Sequence, residues 1–289
     1  MSLSSTRLLA ALVVVLSACG TPPPKAPVEV SRESRRAALH VAGSFAAILS
    51  ERAELDDLAD FDVVILDPDA YESEDLSALR GAGVVTLGYV NIGEIEDWRS
   101  HAQSVDPAWV LGENPAWPGH QFVDARQPGW RRLVVEVVAQ NVIAKEFDGL
   151  FLDMADVAAP ALFPETADGV VSLVEALREV YPTHALVMNR GLFLLDRLEP
   201  TLDGLLVEGV WARLDPDGAY VRTSADDTDV LVTALRRMRE AGGGAFAVDY
   251  ADTDRLRAHA LDAARRARLP VYVGRRALGG PEPLARTGW

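Results

Sequence analysis

The chain has a single cysteine, Cys19, in 289 residues, so no internal disulfide can brace it. Lysine is almost as scarce: Lys25 and Lys145 are the two present, and neither falls in an apolar run that reads as a strand. That removes a barrel enzyme working through a strand-borne Schiff base. The five histidines, His40, His101, His120, His184 and His259, all miss the C-terminal ends of those runs. An imidazole-ligated metal hydrolase and a Ser-His-Asp triad both need one there. No glycine-rich phosphate loop follows the first run, which counts against a dinucleotide fold. Positive charge is short as well. The net charge is −15, so no nucleic-acid partner is expected. A surface of that sign attracts cationic ligands instead.

The N-terminal apolar run, 8–16, has nine residues and is too short to span a bilayer as a helix. It leads into Leu16-Ser17-Ala18-Cys19-Gly20, the layout of an export signal. This resembles a bacterial lipoprotein signal, whose cysteine becomes the lipidated first residue; the alternative is an ordinary signal with a chance cysteine. The expected organisation is a signal over 1–18, then Cys19, a proline-rich tether and a possible helix to residue 43, then one domain over 44–289. The resemblance implies export, lipidation at Cys19 and anchoring to the membrane of the cell envelope. Because Gly20 follows the cysteine, the outer membrane is implied where the host has two. A monomer is expected.

The mature length suits a (β/α)8 TIM barrel, commonly about 250 residues. Short apolar runs alternate with segments of helical spacing. Strands are expected at 44–49, 63–67, 84–91, 149–153, 185–189, 204–208, 244–250 and 270–275. Their nearly continuous apolar character fits a parallel sheet covered on both faces. Between them Val171, Val174 and Leu177 recur at three, and Leu256, Ala260 and Ala264 at four, as one face of a helix does. Eight alternations favour a closed α/β barrel, with a doubly wound sheet as the rival. Two parts are irregular. The stretch 93–130 holds Trp98, Trp109, Trp117 and Trp130 without clear periodicity. The tail 277–289 is a poor eighth helix, and segment 32–41 is the candidate to cover that gap.

Active sites of such barrels lie at the C-terminal strand ends. There stand Asp67, Tyr89 and Asn91 followed by Glu94, then Asp153, Asn189, Glu208, and Asp249 with Tyr250. Five of the eight strands thus deliver a carboxylate to one rim. Two such charges about 4 Å apart repel by roughly 4 kcal/mol at an effective dielectric of 20, so one keeps its proton to higher pH. A proton donor beside an ionised carboxylate is the equipment of a glycosidase. No cofactor is called for, and no metal, although an all-carboxylate site for Mg²⁺ or Ca²⁺ remains open.

The segments LGYVNIGEIEDWR (87–99), FDGLFLDMAD (147–156), VMNRG (187–191), VEGVW (207–211) and VDYA (248–251) together resemble glycoside hydrolase family 114. The resemblance implies a TIM barrel acting as an endo-α-1,4-polygalactosaminidase. It implies Asp153 as nucleophile and Glu208 as acid/base, although the residues alone do not divide those roles. The flanking acids Asp67, Glu94 and Asp249 would hold a cationic amino-sugar polysaccharide. Tyr89, Asn91, Asn189, Trp211 and Tyr250 are the other substrate-binding candidates. Each has a structural alternative: Asp153 a helix cap, Glu208 an ion pair with Arg190 or Arg213, Asp67 a turn, Trp211 packing beneath a loop. The rival functions are a non-catalytic carbohydrate-binding lipoprotein and a hydrolase of another glycan.

Overall fold

The structure, a computed structural model, describes residues 30–280. The signal segment, Cys19 and the tether up to residue 29 lie outside the described residues, as does the tail beyond 280. Eight parallel strands form one sheet in chain order: β1 (Phe45–Ile48), β2 (Val63–Leu66), β3 (Val85–Asn91), β4 (Gly149–Asp153), β5 (Ala185–Asn189), β6 (Gly204–Glu208), β7 (Gly244–Tyr250) and β8 (Val271–Gly274). Helices stand between them, and the sheet curls until β8 meets β1, where the Phe45 and Tyr272 rings lie 6.2 Å apart. This is a nearly closed (β/α)8 barrel, as the sequence led us to expect.

The apolar runs became strands because both faces are covered. β1, β2, β5, β7 and β8 are buried at every position, and β4 and β6 at all but the last, Asp153 and Glu208. The helical spacings hold too: Val171, Val174 and Leu177 are buried along Ala167–Val180, and Leu256, Ala260 and Ala264 along Asp254–Ala267.

Two irregular parts took other shapes. The stretch after β3 folds back as a three-stranded antiparallel sheet of Glu94–Glu96, Val110–Glu113 and His120–Val123. The helix α1 (Arg32–Val41), capped by the Ser31 hydroxyl on Ser34 N, does not stand beside β8. It closes the N-terminal mouth of the barrel, with Leu39 fully buried. Its arginines decide that position. Arg32 Nε donates to Asp203 Oδ1 at 2.7 Å, Arg35 reaches Thr183 O, and Arg36 reaches Leu202 O. All three acceptors lie just before a strand.

Candidate active site

Asp153, Asn189 and Glu208 are the last residues of three consecutive strands. In each case the next residue is left-handed: Met154 at φ 64°, Arg190 at φ 55° and Gly209 at φ 70°. For non-glycine residues that conformation carries strain of the kind that gathers at functional sites. It turns the chain aside at once. Gly93 lets the β3 loop cross close by, since a Cβ there would stand 2.2 Å from Met154 O.

Asn189 joins the two acids. Its Nδ2 donates to Asp153 Oδ1 at 2.9 Å and to Glu208 Oε1 at 2.6 Å. The remaining oxygens are held by phenols: Tyr89 Oη lies 3.0 Å from Asp153 Oδ2, and Tyr250 Oη donates to Glu208 Oε2. Met154 N also donates to Asp153 Oδ1. Burial, with the charge of Glu208 added, lifts the Asp153 carboxyl to about 6. Burial first, and the adjoining carboxylates second, hold both phenols well above the ordinary tyrosine range, so each keeps its proton to donate. Tyr89 Oη also lies 3.0 Å from Glu96 Oε1. One phenolic proton therefore serves two carboxylates and cannot bond both at once.

No guanidinium pairs with the carboxylate of Asp153 or Glu208 among the described residues. Arg190 goes instead to Asp156 Oδ2 at 2.9 Å and to the backbone oxygen of Glu208. Asp153 accepts from its own neighbour's N–H and does not cap a helix.

These residues form the floor of a cavity of about 520 Å³. Asp67, Tyr89, Glu94, Asn189 and Tyr250 line it with the pair. Two of the flanking acids are already engaged. Asp67 is bound to Arg99 Nη1 at 2.8 Å and caps the turn at Asp69. Glu94 accepts from Asn114 Nδ2 at 2.6 Å and meets His120 Nδ1 at 3.0 Å. Burial lowers the His120 pKa and Glu94 raises it, with a net rise.

Three expected site residues are not in the cavity. Asp249 is fully buried, and its carboxylate accepts from the backbone N–H groups of Trp211 and Ala212. Adjacent strand residues face opposite sides, so with Tyr250 turned inward Asp249 points away. Burial pushes its carboxyl up to about 7 against the pull of those N–H groups. Trp211, in the loop after β6, is 5% exposed and has no open ring face on which a sugar could stack. Asn91 spends its amide locally: Oδ1 accepts from Gly93 N and Glu94 N, and Nδ2 donates to Tyr89 Oη. It shapes the loop and holds a phenol.

Other lining residues come from the segments read as irregular, Glu96, Trp98, Arg99, Trp117 and His120 from the three-stranded excursion and Ala277 and Leu278 from the tail, with Arg276 just before it. The one sequence signal for them was the density of tryptophan in that stretch. Trp98 and Trp117 are 58% and 43% exposed, whereas Trp130 is fully buried. No group of three or more His, Cys, Asp or Glu is placed to hold a metal ion among the described residues.

The profile of glycoside-hydrolase family GH114 matches residues 26–287. The chain belongs to that family. GH114 membership agrees with the solved structures it resembles. The glycoside hydrolase domain of PelA from Pseudomonas aeruginosa is 28% identical, with a TM-score of 0.73 over 82% of this chain and 96% of that one. Ega3 from Aspergillus fumigatus, solved in complex with galactosamine, is 14% identical with a TM-score of 0.66, over 88% of this chain and 96% of that one; that is likeness of fold alone. An uncharacterised protein of Thermotoga maritima is 28% identical over 203 residues, 63% of this chain, and the match spans 60% of that relative's length. By family and fold this GH114 chain is a glycosidase.

Proposed function

We propose that this protein hydrolyses an amino-sugar polysaccharide in the manner of an endo-α-1,4-polygalactosaminidase, with Asp153 and Glu208 as the catalytic pair. The observation that carries the reading is the shared Asn189 amide, which sets the two carboxylates side by side on an open floor. Their near oxygens can be no further apart than those two hydrogen bonds laid end to end. That ceiling on the near oxygens favours the closer carboxyl spacing of retaining glycosidases, about 5–5.5 Å, over the ~6.5–9.5 Å that leaves room for water in inverting ones.

In the mechanism, Glu208 protonates the glycosidic oxygen as the bond to the anomeric carbon breaks. Asp153 attacks that carbon from the opposite face and forms a glycosyl ester. Glu208 then takes a proton from water, which displaces Asp153 and regenerates both groups. Asn189, Tyr89 and Tyr250 hold the pair oriented throughout. The family resemblance, and not the geometry, supports giving attack to Asp153.

Charge supports the substrate class. Six carboxylates line the cavity (Asp67, Glu94, Glu96, Asp153, Asp156, Glu208) against three guanidinium groups (Arg99, Arg190, Arg276). A galactosamine unit without its acetyl group is a cation that such an excess favours. Both members of the pair come from one chain, so the reading needs no second copy. We place the enzyme at the cell envelope, held by lipid on Cys19.

Incubating the soluble domain with deacetylated galactosaminoglycan, and with the acetylated polymer as control, tests this by mass spectrometry of the products. Oligosaccharides are expected from the free-amine polymer with wild type, and none with Asp153→Asn or Glu208→Gln. Binding without cleavage by wild type would turn the reading to a carbohydrate-binding protein, and cleavage of the acetylated polymer alone would move it to another glycan.

A further inference from the structure

Trp98 and Trp117 are large aromatic side chains left open to solvent, and both line the same cavity as the carboxylate pair. They are not equivalent. One side of the Trp117 ring is taken by Arg276, whose guanidinium carbon stands 4.6 Å from the ring centre while its Nη2 donates to Ala116 O at 2.8 Å. Among the described residues Trp98 has no such cover. Its ring is braced by the His120 ring at 5.1 Å, close to edge-on, and by Gly119, where a Cβ would stand 3.0 Å from the indole. A wide aromatic face is thus fixed in place and left largely open by the described residues.

Beside it lies a polar pair of matching design. Glu94 is 1% exposed, and its two oxygens are fixed by Asn114 and by His120 Nδ1. With Nδ1 directed at Glu94, the imidazole has only Nε2 left to offer a ligand. Neither Glu94 nor His120 touches the catalytic carboxylates, and both line the cavity.

We propose that Trp98, with the Glu94–His120 pair at its side, forms a second sugar-binding position that takes a hexosamine ring of the polymer away from the bond being cut. The ring stacks by its C–H face on the indole, as sugars do on aromatic platforms. The Glu94–His120 pair reads the substituent on nitrogen. With the imidazole proton on Nδ1, a free ammonium donates to Nε2 and gains from the Glu94 charge behind it, and an acetamide brings no charge to gain. The position lies on the sheet inserted after β3, so it grips the chain independently of the floor. The inference rests on the glycan class proposed above, but it concerns binding and can be tested without turnover.

The test uses the Asp153→Asn protein and calorimetry with a hexamer of galactosamine and its fully N-acetylated counterpart. Adding Trp98→Ala is expected to weaken hexamer binding about tenfold, and Trp98→Phe to recover part of that. Adding Glu94→Gln, which keeps the side-chain shape, is expected to shrink the preference for the free-amine hexamer at least fivefold. An unchanged affinity in the Trp98→Ala protein overturns the proposal, as does an unchanged preference in the Glu94→Gln protein or failure of the parent to bind either hexamer. Wild-type turnover separates the two readings. Cleavage with Trp98-independent binding removes the second position and leaves the hydrolase. Trp98-dependent binding without cleavage removes the hydrolase and leaves the position.

Discussion

At the N-terminal end of the barrel Asp203 is fully buried among three arginines. Arg32 and Arg178 donate to its two oxygens, Arg36 stands 3.6 Å away, and Leu186 N adds a fourth partner. Asp62 and Asp148 stand at the same end; Asp62 accepts from Ser44 N just before β1, and Asp148 from Thr86 N in β3. At the C-terminal end Asp153 and Glu208 face each other with an amide, two phenols and one backbone N–H, and no guanidinium reaches either carboxylate. Both rims are acidic, so the number of acids does not tell them apart. What differs is the compensation. Below, arginines face Asp203 and Asp148, backbone N–H groups hold all three acids, and together they lock α1 and the strand starts. Above, two carboxylates are held close with no cation between them, and the proton affinity of Asp153 rises in consequence.

That contrast predicts opposite outcomes for similar substitutions. The largest effect belongs to the upper rim: Glu208→Gln is expected to lower kcat by about 10²–10⁴-fold, the usual worth of a positioned acid/base, without lowering the melting temperature. Asp203→Ala is the mirror case. It strands three arginines in a buried place, and breaking such a cluster costs about 3–5 kcal/mol. Thermal unfolding should show that loss, while kcat per folded molecule stays near wild type.

Next comes Asp153→Asn, whose stability effect runs the other way. The folded carboxyl titrates at about 6, above its ordinary value of about 3.9, so the fold binds that proton more tightly than the unfolded chain does. Stability from this group is full below about pH 4 and is lost as pH rises through 6. The amide removes that loss. Asp153→Asn should therefore be more stable than wild type by about 1–3 kcal/mol at pH 7.5, with no gain at pH 4 in the same denaturation series. The same titration sets an acid limb: with Asp153 as nucleophile, kcat/KM should fall about tenfold per pH unit below 6. The smallest effect is expected at Asp249→Ala, which leaves the N–H groups of Trp211 and Ala212 unpaired. A cost of about 1–3 kcal/mol in urea unfolding is expected at pH 5, below the value of about 7 to which burial lifts that carboxyl.

The barrel was readable in the sequence because a strand buried on both faces must be apolar nearly throughout, and β4, β5, β6 and β7 begin and end where those runs do. Asp153, Asn189 and Glu208 could be placed because each terminates such a run. Asp249 was misplaced by the same reading, although it adjoins Tyr250 and two neighbours on a strand cannot both face inward. Asp203 stands just before β6 and gave no sign of its partners, since Arg32 lies 171 residues away in the chain. Trp98, Trp117 and His120 sit in or between strands of three or four residues with mixed polarity, too short to print a period. Helix α1 was visible as a helix, but its place was not, because the carbonyls and carboxylate that hold it belong to distant strand starts.

The central claim is that Asp153 and Glu208 work as one pair at short range on a single glycosidic bond. Proton NMR of the first products released from an α-linked galactosamine polymer tests it most directly. The account predicts that the new reducing end appears as the α-anomer and converts to the β-anomer only as mutarotation proceeds. Release of the β-anomer first would contradict it, because the two carboxylates would then have to stand far enough apart to admit a water between them.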